Sequence, residues 1–149
     1  MSSFQSILVS VDLADTSDKV LGFAIDLASK LGARLTVLHV YSLPVYNLPD
    51  GSFVPTAEVA TSIAGAAQKQ LDATVAAYSD RGVPLVGLLR NGSPQQEIVD
   101  VANEIGADLI VIGTHGRGVI GRALLGSVAQ TIVRTAKQPV ITIRNTTEA

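Results

Sequence analysis

The sequence predicts an α/β fold, a parallel sheet with helices on both of its faces. Three observations lead there. Five short apolar, β-branched runs alternate with four stretches of helical periodicity. Alternation of that kind needs crossover connections, which make successive strands parallel and cover both sheet faces. Hydrophobic residues also make up 47% of the 149 residues, against 16% charged. That supplies a sizeable core and gives no support for disorder.

The elements follow in order. "SILVSVD" (6–12) is a strand ending in an acid. Val20, Leu21, Ala24, Leu27, Ala28 and Leu31 form the apolar stripe of a first helix, stopped by Gly32. "RLTVLHVY" (34–41) is the second strand. The segment 42–55 holds three prolines and an Asp-Gly pair, and is expected to be irregular. It is too long for an ordinary connector, and its place after the second strand suggests a lid. A long helix follows from about 56 to 80, marked by Ile63, Ala67, Leu71, Val75 and Tyr78.

"PLVGLLR" (84–90) is the third strand. Ser93 is the expected cap of the next helix, with Pro94 at its first position and Gln96 completing a capping box. Ile98, Val101, Ala102 and Ile105 form that helix's buried face. "DLIVIG" (108–113) is the fourth strand, 128–136 the fourth helix, and "PVITI" (139–143) the fifth strand. No repeat, linker or second core interrupts the pattern, so residues 1–149 are expected to form one domain.

Composition narrows the function. A formal net charge of -2 argues against a general nucleic-acid footprint. With no cysteine, disulfides, thiolate chemistry and cysteine-based zinc sites are excluded. The N-terminus lacks the basic and apolar regions of a signal peptide, and no apolar run approaches the roughly 18 residues of a membrane span. A soluble cytoplasmic protein without membrane contact is the expectation. The low charge suggests a surface partly covered by a partner.

Chemistry concentrates in "GTHGRGVIGRALLGS" (113–127). Glycines default to turns, and Gly113 and Gly116 allow that reading. Yet in an open parallel sheet ligands bind beyond the carboxyl ends of strands, where the strand order reverses. Asp12 and Gly113 each end a strand. The fourth helix begins near Ser127, so its first N–H groups face the glycine loop, a setting for phosphate oxygens. Ser127 and Gln130 form a second capping box, a role compatible with phosphate binding by the N–H groups. Arg117 and Arg122 either add positive charge to the site or are solvated loop cations.

The spacing Gly113-x2-Gly116-x9-Gly126-Ser127 resembles the nucleotide-binding signature of the universal stress protein family. The likeness extends to "ILVSVD", "LTVLHV", "DLIVIGTHGRG" and "KQPVITIR", nearly the whole chain. The resemblance implies a doubly wound, Rossmann-like five-stranded sheet of order 3-2-1-4-5, with ATP at its carboxyl end. Carried over by position, Val11 and Asp12 would contact the adenosine, and Val40 would meet the adenine through its backbone. Ile112 and Gly113 would line the base and ribose. Gly116, Arg117, Gly126, Ser127 and Val128 would surround the phosphates.

The sequence departs from the family pattern in places. Ser10 stands where many relatives have proline. Leu13-Ala14 replaces a frequent Gly-Ser, and Ala129 occupies a position that is a hydroxyl residue in some ATP-binding relatives.

The site is rich in backbone donors and poor in reactive groups. No P-loop lysine motif occurs, and "GRGVIG" lacks the context of a dinucleotide fingerprint. His115 is the one candidate proton carrier beside the phosphates, and a lone loop histidine is more often structural. His39 is read as a core or crevice-edge residue. No catalytic or metal-binding residue is assigned, and Mg²⁺ would be held by phosphates and water.

The expectation is a stress or signalling switch that binds ATP, with ADP, AMP and cyclic AMP as alternatives. ATP hydrolysis would be slow at most, and an unidentified protein partner would read the switch. The competing reading is a nucleotide-independent interaction module. In the implied strand order the segment 139–144 is an apolar sheet edge, suited to pairing in a homodimer.

Overall fold

The computed structural model describes residues 3–13, 17–114 and 125–145. In chain order the elements are β1 (Ser6–Ser10), α1 (Ser17–Leu31), β2 (Arg34–Tyr41), β3 (Tyr46–Leu48), β4 (Gly51–Phe53), α2 (Ala57–Ala77), β5 (Leu85–Asn91), α3 (Pro94–Glu104), β6 (Leu109–Gly113), α4 (Ser127–Thr135) and β7 (Val140–Ile143). Five strands form one parallel sheet ordered β5-β2-β1-β6-β7. Leaving out the small β3–β4 pair, that is the expected order 3-2-1-4-5.

The central strand explains itself. Ile7, Leu8 and Val9 are all fully buried, because helices cover both faces and no polar alternation is needed. Ile7 and Val9, with Val37 of β2 and Val111 of β6, meet Leu21, Ile25 and Ala28 of α1 and Leu71 of α2. Leu8, Leu38 and Ile110 point the other way, onto Ile98 and Val101 of α3 and Ile132 of α4. Two cores therefore share one sheet. Gly32, with φ 65, ends α1, and Ala33 N–H returns to Ala28 O at 2.9 Å.

Away from the start of α4, the structure differs from the sequence expectation in four places. Residues 42–55 are not wholly irregular: β3 and β4 form an antiparallel hairpin around Pro49-Asp50, with Leu48 opposite Gly51. The second helix ends at Ala77, and only Leu71 of its expected stripe is fully buried. Leu71 and Val75 lie over Gly87, where an added Cβ would stand 3.1 Å from Val75 Cγ2, so this glycine lets α2 approach β5. On α1, Leu31 is 42% exposed while Ile25 takes a place in the core.

The fourth difference concerns the cap of α3. Ser93 is the N-cap and Pro94 the first residue, as expected, but no capping box forms. The Ser93 hydroxyl pairs with Gln95 Oε1 at 3.0 Å, and Gln96 Nε2 donates to Asp100 Oδ1 at 2.8 Å. Each polar side chain finds another local partner in place of the one the box requires.

Candidate nucleotide-binding site

The chain leaves β1 toward β2 and β5, then crosses back to place β6 and β7 on the other side. The carboxyl ends of β1 and β6 therefore flank the point where strand order reverses, and the crevice of such a sheet opens there. A cleft of about 530 Å³ occupies that place. Its wall includes Val11, Asp12, Val40, Ile112, Gly113, Gly126, Ser127 and Val128. Eight of the ten residues singled out in the sequence are thus brought together. The other two, Gly116 and Arg117, lie outside the described residues, as do His115 and Arg122.

The β1 side of the cleft is held by its backbone. Val11 N–H donates to Leu38 O at 2.9 Å, and His39 Nδ1 lies 2.9 Å from Val11 O. A carbonyl can only accept, so Nδ1 carries the hydrogen and donates it. Asp12 follows, half-buried. Leu13 then adopts φ 61, the only non-glycine residue with positive φ among those described. A Cβ in that region costs about 1–2 kcal/mol. Leu13 packs against the core beneath α1, which offsets part of that strain. This is one of the positions where the sequence departs from the family pattern.

The opposite wall is built from the end of β6, the start of α4 and Asn145 beyond β7. Thr114 N–H donates to Ile143 O at 2.9 Å, and Gly126 N–H donates to Thr114 O at 2.6 Å, tying the start of α4 to the end of β6. The N-cap of α4 is Gly126, not Ser127, and no side chain caps it. The expected Ser127–Gln130 box is replaced by a bond from Gln130 Nε2 to Leu125 O at 2.8 Å. Ser127 is instead the first helical residue and lines the cleft.

Gln130 N–H reaches Gly126 O within the helix. The N–H groups of the three residues before it belong to the first turn, whose donors have no intrahelical acceptor. Among the described residues no lysine or arginine lines the cleft, and the start of α4 brings the positive end of a helix dipole to it.

The two glycines of this wall do different things. An added Cβ on Gly113 would stand 2.8 Å from Asn145 Cγ, so Gly113 makes room for the protein's own asparagine. Gly126 has φ -68 and ψ 166, which any residue adopts, so backbone conformation does not require glycine there. What a glycine offers at that position is open backbone beside the cleft.

Sequence reading missed Asn145, which is buried, lines the cleft and accepts from Thr114 Oγ1 at 3.3 Å. A polar residue just past a strand's carboxyl end was the available signal. Thr114 and Tyr41 were missed in the same way. Ala129, expected to matter through its lack of a hydroxyl, is buried at the cleft floor against the α3–α4 core. Among the described residues no group of three or more His, Asp or Glu could hold a metal ion. No described helix is long and apolar enough to cross a membrane.

Known proteins resemble the chain over nearly its whole length. The profile of the Universal stress protein family matches residues 3–144. Universal stress protein YxiE of Bacillus subtilis is 31% identical over 147 residues, covering 95% of this chain and 99% of that protein. Among solved structures, universal stress protein UspA from Lactobacillus plantarum superposes with a TM-score of 0.80 at 26% identity, covering 97% of this chain and 100% of its own.

Two further structures carry ligands. A universal stress protein from Archaeoglobus fulgidus in complex with dAMP has a TM-score of 0.66 at 29% identity, over 96% of this chain and 100% of its own. A universal stress protein in complex with cAMP has a TM-score of 0.63 at 25% identity, over 97% and 99%.

Proposed function

The chain belongs to the universal stress protein family, and on that premise we propose that it is an adenine-nucleotide-binding protein acting as a cytoplasmic stress or signalling switch. ATP is the leading ligand. One observation carries the reading: the uncapped N-terminus of α4, with Gly126 and Ser127, faces Asp12 and Val40 across a single cleft. Such a helix end favours phosphate oxygens, and the ends of β1 and β2 offer backbone and one carboxylate to a nucleoside. The relatives described in complex with dAMP and cAMP support an adenine ligand.

Binding, rather than turnover, fits the chemistry of the described wall. It offers hydrogen-bond donors and one acid, with no lysine and no carboxylate cluster to scaffold a metal. Mg²⁺ would arrive with the phosphates and be held by them and by water. Hydrolysis, if any, is slow, and a protein partner reads the bound state.

Calorimetric titration with ATP, ADP, AMP and cyclic AMP, each with and without Mg²⁺, tests the proposal. Saturable binding of at least one of them is expected. Absence of binding to all four would leave a nucleotide-independent interaction module.

We also propose a homodimer joined along β7. It is a sheet edge whose four residues are only half-buried in the isolated chain, and an unpaired apolar edge is a template for pairing. A two-fold antiparallel seam closes it. Sedimentation at micromolar concentration should give a dimer, and a monomer would remove the proposal.

A further inference from the structure

The β1–β2 ladder stops one step short of where its own geometry would carry it. The last pair in register is Ser10 with Leu38. Val11 N–H still donates to Leu38 O. In a parallel ladder a residue that takes its donor's partner at one position gives its carbonyl to the N–H two residues on. Val11 O should therefore receive Val40 N–H. Among the described residues no hydrogen bond joins those two atoms. The His39 ring donates to that carbonyl instead, from Nδ1 at 2.9 Å.

Two consequences follow from peptide geometry. Val40 N–H points toward the β1 side, as Leu38 O does, because alternate residues of a strand present both backbone groups to the same neighbour. With the His39 ring at the Val11 carbonyl and no ladder bond formed there, Val40 N–H is left without that acceptor at a residue that lines the cleft. The Val11–Asp12 peptide is held at the same time. Its carbonyl faces β2, so its N–H faces the β6 side, across a trans peptide.

We infer that His39 is a positioning residue for base recognition: by capping the Val11 carbonyl it keeps Val40 N–H out of the β1–β2 ladder and available to a ring-nitrogen acceptor of the base. This rests on the nucleotide reading above and adds a chemical selectivity to it. A backbone N–H accepts nothing, so it favours a purine whose facing ring nitrogen carries a lone pair. Adenine N1 does, and hypoxanthine N1, which carries a hydrogen, does not.

The test compares ATP with ITP on wild type, His39→Leu and His39→Asn. The wild type should prefer ATP. In His39→Leu the carbonyl reclaims Val40 N–H, so ATP affinity should fall about tenfold, the scale of one hydrogen bond. ITP affinity should change little, and the preference should vanish. His39→Asn can set an amide donor where Nδ1 stands, and should retain the preference. An equal fall for both nucleotides, or an undiminished preference in His39→Leu, would overturn the assignment.

Amide exchange of Val40 in the ligand-free proteins gives a reading independent of nucleotide. It should be slower in His39→Leu than in wild type, and unchanged exchange would overturn the ladder argument. A wild type that binds neither nucleotide would remove ATP as the ligand, while the Val40 exchange still decides the role of His39. If His39→Leu does not fold, His39→Gln, whose amide lies further out, takes its place with the same expected outcomes.

Discussion

The central strand meets its neighbours differently at its two ends. At the amino end, Gln5 N–H and Ser6 N–H both donate to Asp108 Oδ2, at 2.9 and 3.0 Å, and Asp108 N–H returns to Ser6 O at 2.7 Å. Arg34 N–H meets Gln5 O and Leu35 N–H meets Pro84 O, extending the ladder beyond the strands themselves. At the carboxyl end, pairing with β2 stops at Ser10, a histidine ring takes the next carbonyl, and Leu13 turns left-handed beside the cleft. One end spends its backbone groups on the protein. At the other the ladder ends beside the cleft. On the proposed function, stability and ligand contact would be separated along a single strand, and variants at the two ends should separate them too.

The largest effect is expected at the cleft. Gly126→Val keeps an allowed backbone conformation but places a branched side chain where phosphate oxygens would approach. Losing two charge-assisted hydrogen bonds at ~1.5 kcal/mol each weakens ATP binding on the order of a hundredfold. The urea midpoint should move little. Full ATP affinity in a folded variant would break the comparison at its functional end.

Asp108→Ala should do the reverse. It removes an acceptor shared by two N–H groups, and should cost about 2 kcal/mol in urea unfolding. ATP affinity of the folded fraction should stay within about twofold. A large loss of affinity would mean that the two ends are coupled.

Leu13 sharpens the picture of the carboxyl end. Both Leu13→Ala and Leu13→Gly lose the packed side chain, but only glycine relieves the left-handed strain. The glycine variant should therefore be the more stable of the two by about 1 kcal/mol, the reverse of the usual order. Equal stabilities would show that the strain is not felt.

The smallest effect is expected away from both ends. Tyr78 lies on α2's C-terminal side, where its hydroxyl donates to Asp18 Oδ1 at 3.3 Å. Burial first, and then the Asp18 charge, raise the phenol above its ordinary range. A raised folded pKa gives stability that is complete below the unfolded value, about 10, and lost as pH rises through the folded value. Tyr78→Phe should thus flatten the alkaline limb of a stability–pH profile and lower its plateau at pH 7 only slightly, by the loss of the hydrogen bond to Asp18.

Much of the fold was legible because strands buried on both faces leave uninterrupted apolar runs, as in "SILVS" and "DLIVIG". The eight described candidates that line the cleft came from the resemblance to a family, carried by the glycine spacing and the strand runs, and not from local chemistry. What stayed hidden depends on partners distant in the chain. Asn145 reads as part of a polar tail, and its burial follows from the missing side chain at Gly113, thirty-odd residues away. His39 reads as a strand residue, and its role depends on where the ladder to β1 stops. The β3–β4 hairpin is three residues per strand, too short to show a period, and its turn is Pro49-Asp50 with Gly51 already in β4. The capping boxes failed for a plainer reason: Ser93, Gln96 and Gln130 had other partners within reach, and Ser127 lies inside the helix rather than at its cap.

The hairpin carries a practical consequence. Its tip is exposed and made only of Pro49 and Asp50, while its first strand begins a few residues after β2 leaves the cleft wall. Extending a surface turn costs little chain entropy, about 0.6 kcal/mol for each doubling of its length. A reporter peptide or an environment-sensitive dye inserted between Pro49 and Asp50 would leave the five-stranded sheet intact, turning this short excursion into an optical readout for the molecule.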